Sequence, residues 1–323
     1  MTMIRRTTSL VAGAAVLSIS LGACGVGGSG GGGGGGDVKA GSVDATALKG
    51  VSLSVGSKEF DEQLLLGQLT IAMLKAAGAK VTDKTNIQGS TATRNALISG
   101  STDVYWDYTG TGWVTYLKNA KPIQNEQKQY QAVKKEDLAK NKLVWGDPAP
   151  FNNTYAFATT EKFAAANNLK TVSDMAAYIK KNPSATTCVE SEFAGRPDGY
   201  PGAKKTYGIT TGASKTLGTG VIYTQTANGT CKFGEVFTTD GRIVGLKLRV
   251  LEDNKKFFPL YNGAVVLREA TDKKDPNILK VLKPLSDKLT TKVMQGLNAK
   301  VSADGMQPAK VAADYLKKEG FIK

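Results

Sequence analysis

Asp103-Val-Tyr-Trp-Asp-Tyr108-Thr-Gly-Thr-Gly-Trp113 gathers four aromatic rings, two carboxylates and two glycines in eleven residues. Its first half has the character of a strand. The glycines that follow predict a sharp turn over 109–112, because Gly adopts backbone angles that other residues resist. A strand end that turns while presenting rings and hydroxyls is where an open α/β sheet places a ligand.

On the N-terminal side of this stretch, Val51-Ser-Leu-Ser-Val55 alternates as a strand does. A helix follows through about Ala77, with Leu64, Leu65, Leu69, Met73 and Leu74 at helical spacing and Gly78 as its stop. A second strand over 81–87 leads through Gly89-Ser-Thr-Ala-Thr93 into a helix at 94–98. That glycine-serine-threonine run caps the helix, and its backbone N–H groups could equally hold an anion. Strand and helix alternate, which predicts an α/β fold with a parallel sheet. Asp147-Pro-Ala-Pro-Phe-Asn-Asn153 reads as a stiff crossing into a second α/β series. This series includes a helix capped by Ser173, strands at 186–189 and 232–237, and the turn Thr238-Thr-Asp-Gly241. Phe257-Phe-Pro-Leu-Tyr261 reads as the return crossing, and the C-terminus as helices opened by Pro276 and Pro308.

With 323 residues and 41% hydrophobic composition, the chain can bury the cores of two lobes. Its formal charge is +14, and removing residues 1–23, which hold Arg5, Arg6 and no acid, leaves +12. The lysines are scattered rather than blocked, which argues against nucleic acid as a partner. There is no histidine, so the commonest triads, metal ligands and near-neutral proton shuttles are absent from the chain. We assign no catalytic residue, metal or cofactor. Arg5-Arg6, the apolar run Leu10–Leu21 and Leu21-Gly-Ala-Cys24 form a targeting segment too short to span a bilayer. It resembles a bacterial lipoprotein signal in which Cys24 is acylated. Residues 25–49, glycine-rich and then small and polar, are expected to form a flexible tether. Cys188 and Cys231 sit on two predicted strands, and outside the cytoplasm a disulfide between them is favoured.

Seven runs keep a recognisable order: Gly56-Ser-Lys-Glu-Phe-x-Glu-Gln63, Gly89-Ser-Thr-Ala-Thr-Arg-Asn-Ala-Leu97, Tyr108-Thr-Gly-Thr-Gly112, Phe151-Asn-Asn-Thr-Tyr-Ala156, Arg196-Pro-Asp-Gly199, Thr239-Asp-Gly-Arg-Ile243 and Phe257-Phe-Pro-x-Tyr261. Together they resemble the substrate-binding proteins of osmoprotectant ABC importers, which take glycine betaine, proline betaine, choline and carnitine. The resemblance implies a two-lobe, type II periplasmic-binding-protein fold with the ligand cleft at the hinge. It divides the chain into 50–152 and 259–323 for the first lobe and 153–258 for the second. It further implies an aromatic cage for a quaternary ammonium at Tyr108, Tyr155, Phe237 and Tyr261, Phe237 standing where several relatives have tyrosine. Lys58, Thr111 and Arg196 match positions that hold the ligand's carboxylate. The implied partners are a small quaternary-ammonium solute, ABC permease subunits and the membrane through the lipid anchor, with the protein a monomer.

The chemistry stands apart from the resemblance. A trimethylammonium group has no N–H to donate, so it is recognised by ring faces, at on the order of 2 kcal/mol for each desolvated cation–π contact. A carboxylate is recognised by Arg as a planar fork and by Lys as a point charge. The combination favours a glycine betaine-like zwitterion, with choline or carnitine binding by the same fold as the alternative. The tyrosines could instead be core residues, and Arg196 could pair with Glu192 or Asp198. Rival readings are a lipid-tethered surface enzyme using paired carboxylates, such as Asp103 with Asp107 or Glu190 with Glu192, and a scaffold protein.

Overall fold

The computed structural model describes residues 38–323. The targeting segment, Cys24 and the glycine run before residue 38 lie outside the described residues. Ten strands form two five-stranded sheets. The first sheet contains β1 (Ser52–Lys58), β2 (Lys80–Ile87), β3 (Val104–Tyr108), β4 (Leu143–Trp145) and β10 (Gly263–Arg268), in the order β2-β1-β3-β10-β4. The second contains β5 (Tyr155–Thr160), β6 (Thr186–Val189), β7 (Ala213–Thr216), β8 (Phe233–Phe237) and β9 (Leu248–Leu251), in the order β7-β6-β8-β5-β9.

The expected parallel sheet is corrected to two mixed ones. β1 runs parallel to β2 and β3, and β6 parallel to β7 and β8, but β10 and β5 are antiparallel to both of their neighbours. The reason lies in the crossings. Each crossing ends beside the carboxyl end of a neighbouring strand, β8 for β5 and β3 for β10, so the strand it opens runs back along that neighbour. Gly263 therefore pairs with Tyr108, and Tyr155 with Phe237. The same geometry brings those ring-bearing ends to one level.

The two crossings lie side by side. Asn152 and Asn262 form an antiparallel bridge, the Tyr261 N–H donates to Asn152 Oδ1 at 2.7 Å, and Thr154 Oγ1 donates to the Pro259 carbonyl at 2.9 Å. Two short strands joined this way can bend together without exposing an apolar core, which is what a hinge requires.

Three further expectations are corrected. No sharp turn follows β3: Gly110 is right-handed helical (φ −63°, ψ −45°) and leads into a π-helical segment, Thr111–Tyr116. Gly110 is needed for close approach instead, since a Cβ there would lie 2.8 Å from the Leu260 carbonyl and 2.9 Å from the Tyr261 ring. The helix Val172–Lys181 is capped by Thr171, not Ser173, in a reciprocal capping box with Asp174. Residues 38–49 are not free tether. Ala40 bridges Ile322, Gly41 and Ser42 donate to the Phe321 and Gly320 carbonyls, and Leu48 is buried. A short run of mostly small residues gains order here because the C-terminal segment supplies backbone acceptors and an apolar seat.

Cys188 on β6 and Cys231 just before β8 are joined as a disulfide with Cα atoms 5.8 Å apart, closing a separation of 43 residues. In the chain-entropy model such a loop stabilises by about 4 kcal/mol.

Candidate functional site

Lys58, Tyr108, Thr111, Tyr155, Arg196, Phe237 and Tyr261 all line one cavity between the lobes. Strand ends bring most of them there: Lys58 closes β1, Tyr108 closes β3, Phe237 closes β8 and Tyr155 opens β5. Thr111 begins the π-helical segment, Tyr261 sits on the return crossing and Arg196 follows the short helix Ser191–Gly195.

The rings form a continuous chain. Tyr108 lies 6.3 Å from Phe60, Phe60 is stacked on Phe237 at 5.3 Å, Phe237 lies 5.1 Å from Tyr155, and Tyr155 meets Tyr261 edge-on at 5.2 Å. Phe60 was not anticipated from sequence. It stands two residues after Lys58 at the start of the helix Asp61–Ala76, where it is the residue before the first turn. The lobes are shut in this structure, with Phe60 resting on Phe237, and the rings enclose a small cavity of about 30 Å³.

The two cations are not free. Lys58 Nζ donates to Asp107 Oδ1 at 2.9 Å, both groups being buried, and lies 5.1 Å from the Tyr108 ring centre. Arg196 forks onto Asp198, with Nε to Oδ1 at 2.9 Å and Nη2 to Oδ2 at 2.6 Å, and its Nη1 donates to Glu192 Oε1 at 2.8 Å. Both pairings considered for Arg196 are therefore present at once. Its guanidinium also lies 5.6 Å from the Tyr155 ring centre and 6.0 Å from that of Tyr261, and the Tyr261 hydroxyl donates to Asp198. The rings already face cations of the protein's own.

Two acids that sequence reasoning did not place in the site cross the cleft. Glu62 is fully buried and accepts four hydrogen bonds: from the Tyr108 hydroxyl at 2.7 Å, Asn153 Nδ2 at 2.8 Å, Thr239 Oγ1 at 2.6 Å and Asn298 Nδ2 at 2.7 Å. Burial raises its pKa, against the pull of these bonds. Glu192 accepts the Ser90 N–H on the opposite lobe at 2.9 Å while holding Arg196. Burial alone would raise its pKa, but the charges of Lys58 and Arg196 and the hydrogen bonds from Ser90 outweigh it and push it down to about 2. Asn153 also lines the cavity, and its buried Oδ1 has no hydrogen-bond partner among the described residues.

The turn at 238–241 completes the closure by packing on the helix Thr291–Ser302, where a Cβ on Gly241 would fall 2.4 Å from the Ala299 backbone. Arg242 reaches Asp61 at 3.3 Å across the same seam.

The family of substrate-binding domains of ABC-type glycine betaine transport systems matches residues 51–318. The chain belongs to this family. It is 36% identical over 291 residues to a glycine-betaine-binding protein of Pseudomonas aeruginosa, covering 88% of this chain and 93% of the relative. It is 33% identical over 279 residues to a glycine betaine-binding protein of Escherichia coli, covering 84% and 92%. Among solved structures, one titled as a glycine betaine/carnitine/choline ABC transporter superposes with a TM-score of 0.69 at 29% identity, covering 84% of this chain and 98% of that one. The fold is thus the two-lobe, type II periplasmic-binding-protein fold. The family comprises binding components of importers, not enzymes, which removes the surface-enzyme reading. Such proteins act outside the cytoplasm, and no helix among the described residues is long and apolar enough to cross a membrane.

Proposed function

We propose that this chain captures a quaternary-ammonium osmoprotectant, a glycine betaine-like zwitterion, and delivers it to a membrane permease. One observation carries the reading. Rings from both lobes and the return crossing meet in one cavity that neither lobe completes alone. Tyr108, Tyr155, Phe237 and Tyr261, joined by Phe60, are the walls for the ammonium, and Lys58, Thr111 and Arg196 are the groups for a carboxylate. Contacts made only when the lobes are shut shift the population toward the shut form, which the permease can read. The lobes are assigned to 50–152 with 259–323 and to 153–258. Acylation of Cys24 would anchor a monomer to the outer face of the cell membrane.

A second reading, a carboxylate-free cation such as choline, is favoured by one specific observation: Lys58 and Arg196 already hold protein carboxylates. A thermal-shift screen of glycine betaine, proline betaine, carnitine, choline and uncharged osmolytes tests both. Ligands of the shut form raise the melting temperature by mass action, by an amount that grows with concentration. We expect the quaternary-ammonium compounds to do so and the uncharged osmolytes not to. No shift with any of the four quaternary-ammonium compounds at millimolar concentration would overturn the assignment.

A further inference from the structure

Lys58, Thr111 and Arg196 are the groups expected to hold a ligand's carboxylate, and the backbone N–H groups opening the helix Ser90–Ile98 are open to an anion. Arg196 and the Ser90 N–H meet on a carboxylate of the protein itself. Glu192 Oε1 accepts from Arg196 Nη1 at 2.8 Å, its Oε2 accepts from the Ser90 N–H at 2.9 Å, and the Lys58 charge acts on it through the cavity. Arg196 is 95% buried and Ser90 96%, so this is a built pocket for an anion rather than a surface contact. Glu192 also stands in the doorway. Ser90, Glu192 and Arg196 line both the closed cavity and an open groove of about 430 Å³ that runs outward along residues 88–95.

We propose that Glu192 is the specificity-determining residue of this site, occupying the carboxylate subsite so that a zwitterion binds by displacing it while a carboxylate-free cation binds with it in place. This rests on the quaternary-ammonium reading above and decides between its two branches. The exchange is matched in chemistry, because the groups Glu192 would leave behind, one N–H of the Arg196 fork and one backbone N–H, are the donors an incoming carboxylate needs. Glu192 is also the less buried member of its pair: its side chain is 28% exposed against 5% for Arg196, so it can swing outward where Arg196 cannot. For a ligand lacking the carboxylate, Glu192 is instead a nearby negative charge that helps hold the cation.

The test is the ratio of affinities for glycine betaine and choline, measured by calorimetry at one ionic strength in the wild type, Glu192→Gln and Glu192→Asp. Gln keeps an acceptor for the Ser90 N–H and loses the charge. We expect Glu192→Gln to bind glycine betaine more tightly and choline more weakly, moving the ratio by about tenfold, the size of one partly screened charge at this range. Glu192→Asp, which keeps the charge one methylene further back, should fall between, and it supports the same conclusion if Glu192→Gln does not fold. An unchanged ratio in both variants, or equal movement of both affinities, overturns the proposal and leaves the quaternary-ammonium reading intact. A wild type that binds neither compound overturns both.

Discussion

Glu62 and Glu192 each carry a carboxylate from one lobe to donors on the other, and they are held by opposite means. Glu62 sits at the hinge among four neutral donors, and no cation bonds to it. Glu192 sits at the mouth between two cations. Burial with neutral donors satisfies an acceptor's geometry but leaves its charge costly, whereas burial beside cations makes the charge itself the reason for staying. The hinge carboxylate is therefore wanted for its shape and its lone pairs. The one at the mouth is wanted for its charge, which another anion can supply.

The largest expected effect follows at the hinge. Glu62→Ala strips the partner from four buried donors on four chain segments and should cost roughly 2–4 kcal/mol in chemical denaturation. Glu62→Gln should cost within about 1 kcal/mol, because the hydroxyls of Tyr108 and Thr239 can turn to accept. The Asn153 Oδ1, unpaired in the structure, becomes available if that amide rotates. Equal losses for Ala and Gln would break the comparison, by showing that the charge of Glu62 is what its neighbours require.

A middling effect separates the two acids by pH. The folded pKa of Glu192 is pushed down to about 2 from an ordinary 4.5, so its contribution is present above 4.5 and fades as pH falls toward 2. That of Glu62 is raised, so its ionisation is a cost at neutral pH that is relieved as pH falls through the raised value. Measured by denaturation from pH 7 to pH 3, the advantage of wild type over Glu192→Gln should shrink, and wild type should gain on Glu62→Gln. Parallel slopes for the two variants would erase the distinction.

Much of this was legible in the sequence, and the missed polar residues of the site share a cause. The strand ends were readable because alternation is a local pattern, whereas Tyr108, Tyr155 and Tyr261 were grouped by the family resemblance, the residues alone leaving core burial open; the structure brings all three to one cavity. Phe60 was also within reach, lying in the same run as Lys58, but its ring counts only once Phe237 is seen to stack on it. Glu62 and Asn153 could not be placed, and Glu192 was legible only as a partner of Arg196 and not of Ser90, because these bonds join residues 177, 91 and 102 positions apart and no spacing announces them. The glycines after Tyr108 misled for a different reason. Gly serves both unusual backbone angles and close approach, and at Gly110 the structure uses the second. The directions of β5 and β10 depended on where each crossing delivers the chain, which composition does not encode.

The smallest effect probes the ground between hinge and mouth, where Phe60 and Phe237 stack across the cleft with ring planes 6° apart. Phe237 is half-buried at the end of β8, and its backbone N–H is anchored on the Tyr223 hydroxyl oxygen at 2.8 Å, so the ring is carried by a fixed main chain. Phe237→Tyr adds a hydroxyl without removing the ring face. Affinity for glycine betaine should therefore be kept or improved, with a change of less than about threefold, in line with a cation–π contact that either ring can supply. Because the Phe237 ring bonds to neither acid, the substitution should act on binding while leaving the acid-dependent slopes of Glu62 and Glu192 untouched. A tenfold loss of affinity by calorimetry would show that Phe237 holds the shut lobes together through its stack and is not a wall of the ammonium site.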